Sequence, residues 1–365
     1  MDFTITEEQR DISTLAGQIL ADQVSPEDLH QYDSRETPRF DSALWAQLAD
    51  SGLLGIAVGQ DQGGMGFGYT ELCMLIEECG RVLAPVPVIQ TCIGAMAIAQ
   101  HGDESDKAIL GDVVAGKRII AAAVHEDGNE DIYAPTCKVA DGKLTGSKHG
   151  VSYCEQAQAL LVVATEGGEA GLYEVDPTDS SAQATALWST TMEPQCYVTF
   201  AGTPAKKIGG ADAVTYFLER YIIALCAFQV GACEKMLKLT AEYTTERQQF
   251  GVPIASFQAV GHRAANCYID SACLRLVVQQ AVSKLDAGQE AAASVNVAKA
   301  WCGDASHRIS MTTQHLHGGL GVDRDYALWR YALWAKQNEL SLGSTNYHLR
   351  QLGDAIAAGD FDIDL

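Results

Sequence analysis

Several stretches of this 365-residue chain combine residue types at spacings that bear on chemistry. Gly64-Met65-Gly66-Phe67-Gly68 invites a dinucleotide-phosphate reading. That fingerprint needs GxGxxG between a strand and a helix inside a βαβ unit. The spacing fails and no βαβ series follows, so the expectation is a glycine-rich loop ahead of a helix. His315-Leu316-His317 has the look of a zinc pair, but no acid stands at ligand spacing, and no metal is expected. The stretch running from Tyr243 through Arg247, Phe250, Gly251 and Ile254 to Phe257-Gln258 is far more specific. It sets a permanently charged, planar donor in the last turn of a helix that Gly251 and Pro253 should stop, which projects the guanidinium off the helix end.

These residues need elements to position them, and the chain shows a change of pattern at two points. Residues 1–117 carry helical signals. Thr6 precedes Glu7, Glu8 and Gln9, a good helix start. Apolar positions recur over 42–54, and a further helix over 69–83 stops at Pro85 and Pro87. Residues 118–210 read as strands. Asp141-Gly142 is a hairpin signal, 160–164 is a short apolar run, and Cys196, Val198 and Phe200 alternate with Tyr197 and Thr199. Residues 211–365 return to helix. The segment 221–233 is apolar on nearly every side and should be central. Ser256 is placed to cap the next helix, and a last pair is expected over 291–316 and 326–352. Helices, then strands, then helices indicate an α+β fold with segregated units.

Composition narrows the function. A net charge of -22 argues against nucleic acid and anionic membrane surfaces as partners. The longest apolar run, residues 221–228, is far too short to span a bilayer. The acidic, polar start MDFTITEEQR has no signal-peptide character, so a cytoplasmic location is expected. The 11 cysteines contain no CxxC pair and read as reduced, small apolar residues.

The pattern Tyr243-x-x-x-Arg247-x-x-Phe250-Gly251-x-x-Ile254, followed by Phe257-Gln258, resembles a signature of the acyl-CoA dehydrogenase family. FTITEEQRDI, the run from LADSGLLG to LAPVP and the late LHGGLG are similar to other parts of that family, so the resemblance covers nearly the whole chain. It implies a helical domain over 1–117, a β domain over 118–210 and a helical bundle over 211–365. It implies FAD, an acyl-CoA thioester, loss of an α proton and hydride transfer from the β carbon. Family members are usually tetramers with each flavin at a subunit interface. By this resemblance, Arg247, Phe250 and Gln258 reach the ADP half of a flavin held by the neighbouring subunit, and a pyrophosphate suits a planar fork donor. Gly318 and Gly319 match the turn whose backbone amides approach the same ADP. The family usually has Gln three residues before the first glycine. Here His315 stands there and Gln314 is one place early.

The resemblance breaks at the chemistry. Counting from Gly318-Gly319, the loop position of the usual catalytic Glu is Leu342, which cannot accept a proton. The nearest acid along the chain is Glu339. The alternative base position used by some members falls on Tyr221. Glu219, two residues away, would face elsewhere on a regular helix and reads as a solvated first-turn acid, so no catalytic residue is assigned. The segment 124–131, VHEDGNED, matches the family stretch that cradles the isoalloxazine and its phosphates but puts extra acids where a phosphate would lie, and Gly150-Val151-Ser152 stands at the family's Trp-Ile-Thr-type segment.

The chain therefore resembles the non-catalytic subunit of bacterial α2β2 enzymes acting on CoA thioesters of steroid side chains. Its implied partners are a second acyl-CoA dehydrogenase-type subunit carrying the Glu, an acyl-CoA, and an acceptor such as an electron-transfer flavoprotein. Two alternatives stay open: a self-sufficient homotetramer using Glu219, and a flavin-free acyl-CoA binder or scaffold.

Overall fold

The computed structural model describes residues 4–359. Helix α1 (Glu7–Gln23) opens on a reciprocal cap, Gln9 N donating to Thr6 Oγ1 at 3.2 Å and Thr6 N to Gln9 Oε1 at 3.0 Å. This satisfies two backbone donors at once. Helix α2 (Ser42–Asp50) is capped by the Asp41 carboxylate. It ends short of the expected 54, because Gly52 turns left-handed at φ 74° and begins a short 3-10 turn. Helices α3 (Tyr69–Val82), α4 (Val88–His101), α5 (Glu104–Lys107) and α6 (Leu110–Val114) complete the N-terminal unit.

Eight strands follow: β1 (Ile120–Ala123), β2 (Lys138–Ala140), β3 (Lys143–Ser152), β4 (Ala159–Glu166), β5 (Glu169–Val175), β6 (Ala182–Trp188), β7 (Pro194–Pro204) and β8 (Lys206–Gly209). They form one sheet in the order β6-β7-β3-β2-β4-β5-β8, with β1 paired parallel to β4. Asp141 and Gly142, at φ 49° and 70°, make the two-residue turn between β2 and β3. On β7, Cys196, Val198 and Phe200 are buried as their alternation implies.

Helix α7 (Ala211–Glu246) is the core of the C-terminal bundle, joined by α8 (Gln258–Asp286), α9 (Ala292–His317), α10 (Leu328–Leu340) and α11 (Thr345–Ala358). Helices α3 and α7 touch backbone to backbone at Gly80 and Gly231. A Cβ on either would run into the other helix at Phe228 O or Glu77 O, so only glycine permits this approach.

Three local expectations are corrected here. Helix α7 ends at Glu246, not Gly251, and the chain turns into a small hairpin pairing β9 (Gln248–Gln249) with β10 (Val252–Pro253). Phe250 and Gly251 sit at its tip at φ 56° and 81°, so Gly251 serves a two-residue turn rather than a helix stop. Ser256 does not cap α8. Its hydroxyl donates to Pro253 O at 2.7 Å, and Phe257 occupies the cap position. The segment 326–352 is two helices, because Leu342 and Gly343 adopt φ 55° and 98°, a conformation that breaks any right-handed helix.

The outward side of the bundle keeps large apolar side chains in the open. Phe250 is 95% exposed, and Tyr268, Ile269 and Leu276 on α8 and Met311 on α9 are also uncovered.

Candidate functional site

Of the cofactor-site residues singled out by the sequence, all but Gln314 fall in one outward-facing place. Arg247 is the extended cap residue just past the end of α7, and its N–H donates to Tyr243 O at 2.8 Å. Its O accepts from Ile254 N at 2.8 Å, which closes the base of the hairpin. The guanidinium is exposed and makes no hydrogen bond or ion pair with any described residue. Phe250 meets Phe257 edge to face, with centroids 6.2 Å apart. Gln258 is the exposed first residue of α8.

A histidine joins this arm to the glycine turn. His317 is 3% exposed and stacks on Tyr243 at 4.4 Å between centroids. Its Nδ1 donates to Thr313 O at 2.8 Å and its Nε2 accepts from Tyr326 Oη at 3.1 Å. Burial pushes its pKa down, so the ring is neutral with both nitrogens in use. That leaves no lone pair for a metal. No cluster of three His, Cys, Asp or Glu able to hold one occurs among the described residues. Gly318 follows directly at φ 62°, with open space around it. Gln314 turns inward, its Nε2 donating to Gly321 O at 3.4 Å, while His315 is exposed. Arg247, Phe250, Gln258, Gly318, Gly319 and His315 therefore present free donors and surfaces outward, a setting that fits the ADP half of a flavin.

A separate cavity of about 390 Å³ lies where the sheet, α3–α4, α7 and α10 meet. None of the arm residues lines it. Tyr221, Leu225 and Phe228 on α7 face it, as do Val88, Ile89, Val124, Trp334 and Leu342. Both positions identified for a family base, Tyr221 and Leu342, thus border the same space, and neither is a carboxylate. Leu342 is held rigidly despite its unfavourable φ. Its N–H donates to His125 Nε2 at 3.3 Å, and its carbonyl accepts from His348 Nε2 at 2.9 Å. Buried Lys299 donates to Glu339 O at 3.1 Å and to Gly343 O at 2.8 Å. Burial lowers the pKa of both His125 and His348 to about 4, so the clamp stays neutral at ordinary pH.

Glu219 does not line the cavity, in keeping with its angle on a regular helix. It is not a solvated first-turn acid, however. It lies two turns inside α7 and is only 9% exposed. Burial, reinforced by Glu290 and opposed by Arg220, raises its pKa to about 7. Folding then favours the protonated carboxyl. Its contribution to stability is complete below about pH 4.5 and is lost as pH rises through about 7. Glu219→Gln is expected to flatten that slope. It should raise the melting temperature at pH 8 but not at pH 4.5, by an amount worth up to about 3 kcal/mol. Equal effects at both pH values in thermal melts would contradict it.

The sequence missed the carboxylate that does border the cavity. Glu193, at the foot of β7, is 6% exposed. Its Oε2 accepts from Ser152 Oγ at 2.8 Å, Gln337 Nε2 at 2.8 Å and Gln195 Nε2 at 3.0 Å. An acid beside Pro194 reads as a turn residue, and only tertiary packing turns it inward.

The segment 124–131 also differs from expectation. Glu126 does not face a phosphate. Burial would raise its pKa, but Lys148 Nζ at 2.7 Å, with donors from Thr136 and Cys137, holds it well below the carboxylate range. What disfavours FAD in this chain's own cavity is Glu193. The Ser152 hydroxyl, at the family's Trp-Ile-Thr-type segment, is committed to it, and a desolvated carboxylate stands in the wall. The cavity does not fit FAD, whereas the outward arm does.

Comparison with known proteins follows the same lines. A model of the acyl-CoA dehydrogenase N-terminal domain matches residues 6–117, and one of the C-terminal domain matches residues 209–357. Acyl-CoA dehydrogenase FadE27 of Mycobacterium tuberculosis is 35% identical, over 98% of this chain and 99% of its own length. A solved variant of the Tcur3481-Tcur3483 steroid ACAD is 38% identical and superposes with a TM-score of 0.94, covering 98% of this chain and 99% of the other. The ChsE4-ChsE5 complex from Mycobacterium tuberculosis superposes at 0.92 with 35% identity over 98% and 99% of the two chains.

Proposed function

Because the chain belongs to the acyl-CoA dehydrogenase family, with its FAD cofactor and oxidoreductase chemistry, we propose that it is the non-catalytic half of a two-component enzyme. A partner subunit of the same fold carries the base and the flavin-binding cavity, and this chain completes the flavin site from outside. The observation that carries the reading is the separation of two places. The Arg247 arm points outward with its guanidinium unpaired, while the chain's own cavity has Leu342 and Tyr221 where a base would be.

In the assembly, Arg247 holds the flavin pyrophosphate and the amides around Gly318 and Gly319 approach the same ADP, with Phe250, Gln258 and His315 flanking it. Gln314 acts one step back, by fixing the turn through Gly321 O. FAD supplies the acceptor for hydride leaving the acyl β carbon. This chain's part is to bind, orient and exclude water at the ADP end. An α2β2 assembly follows, with CoA thioesters of steroid side chains as the substrate class, a reading supported by the likeness to the Tcur3481-Tcur3483 steroid ACAD. An electron-transfer flavoprotein is the proposed acceptor and the cytoplasm the proposed location. No helix among the described residues is long and apolar enough to cross a membrane. The division at 1–117, 118–210 and 211–365 is retained as the domain proposal.

Co-expression tests the reading. The chain made alone is expected to be colourless and inactive, and the chain made with its partner to be yellow and active. An active yellow homotetramer from this chain alone would overturn it in favour of the self-sufficient alternative. A colourless acyl-CoA binder that takes no partner would favour the scaffold.

A further inference from the structure

The cavity beside Glu193 has the makings of a site in its own right. All three donors to this carboxylate converge on Oε2. Oε1 has no hydrogen-bond partner among the described residues and is not fully enclosed by protein. The side chain is more than nine-tenths buried and borders the cavity. A buried acceptor left open toward a cavity is costly unless something donates to it. The donors fix the orientation of the carboxylate, so the open lone pairs are aimed rather than mobile.

The rest of the wall defines what that donor is attached to. Val88, Ile89, Leu225, Phe228 and Leu342 are apolar, and Trp334 adds a flat aromatic surface. The volume of about 390 Å³ suits a compact small molecule, toward the lower end of ligand sites. A charged amine is the less suitable donor. Burial pushes the Glu193 pKa up, while the hydrogen bonds from Ser152, Gln195 and Gln337 and the charge of buried Arg39 pull it back down, so a second cation would meet a site that already has one.

We propose that this cavity is a binding site for a compact apolar molecule bearing a hydroxyl group, which donates to Glu193 Oε1. The site performs no dehydrogenation. It is a second small-molecule position in the assembly, away from the composite flavin arm. The inference rests on the reading that flavin does not occupy this cavity.

Fluorescence titration with 2-naphthol and 2-methoxynaphthalene on the assembled complex provides the test. The two probes share an apolar bicycle, but only the first donates a hydrogen bond. 2-Naphthol is expected to bind saturably and roughly 10- to 100-fold more tightly than the ether, the range for a bond to a charged acceptor. In Glu193→Gln the three donors hold the amide oxygen, which turns the NH2 group into the cavity. The ether can accept from it, so the preference should fall to near parity. Leu225→Trp, which fills the space without touching Glu193, should remove both probes. Absence of saturable binding, equal affinity of the two probes for wild type, or a preference that survives Glu193→Gln would overturn the proposal. Flavin content of the complex separates this failure from that of the functional reading. Release of FAD by the probes would mean the cavity is a flavin site and would sink both. Unchanged FAD without probe binding would sink only this one.

Discussion

Replacing Arg247 with alanine in the assembled complex is expected to weaken FAD binding roughly 30- to 1,000-fold, on the order of 2 to 4 kcal/mol. The guanidinium has no partner among the described residues. Its removal therefore leaves nothing unpaired within this chain, and the protein's own stability should change little. What is lost is a charge-assisted pair of bonds to a pyrophosphate, made in a partly desolvated interface. Arg247→Lys should recover only part, because an ammonium is a point charge without the planar fork. Flavin absorbance per heterodimer after gel filtration, for wild type and both variants, gives the answer. Unchanged stoichiometry and affinity in Arg247→Ala would return this arginine to an ordinary solvated helix end.

The chain without its partner is expected to turn over acyl-CoA at no more than about one-thousandth of the complex's rate. A positioned general base alone contributes about 10²- to 10⁴-fold. Glu219→Gln should leave that residual rate unchanged, since Glu219 does not border the cavity. Leu342→Glu should restore little. The side chain would enter the cavity from a clamped backbone, yet Glu193 and its committed Ser152 still stand against the flavin ring. Catalysis needs base, substrate and flavin aligned together, and errors near 1 Å cost about 100-fold. Single-turnover assays on the purified variant decide the matter. A competent Leu342→Glu chain would mean that this cavity accepts flavin after all.

Much of this was legible before any coordinates. Segregated helices and strands followed from periodicity, and the Asp141-Gly142 turn from its residues, because local sterics dictate both. On any regular helix Glu219 is turned about 200° from Tyr221, and Tyr221 alone of the two faces the cavity. Burial was less readable. Glu219 looks like any polar residue near a helix start, and only its burial, reinforced by the charge of Glu290, lifts its pKa. Gly251 carries the same letter whether it stops a helix or turns a hairpin. The pairing of Gln249 with Val252 decided it, and that pairing is tertiary information. Glu193 was invisible for a related reason. Its donors lie about 40 and 140 positions away in sequence, at Ser152 and Gln337. No local pattern announces a network assembled from three parts of the fold.

The uncovered face of the bundle has a consequence for the cell rather than for the enzyme. Phe250 stands almost wholly in water at the tip of its hairpin, with Tyr268, Ile269, Leu276 and Met311 bare on the helices of the bundle. Large apolar side chains left in water are a target for chaperones and proteases while they wait for cover. An orphaned copy is thus marked for removal by the same side chains that mark it for assembly. In the proposed two-chain assembly, abundance of this chain is then capped by the supply of its partner, and overproducing it alone is expected to yield turnover or precipitate instead of a surplus. Balanced synthesis of the two chains, as from one shared transcript, is the arrangement such a surface rewards.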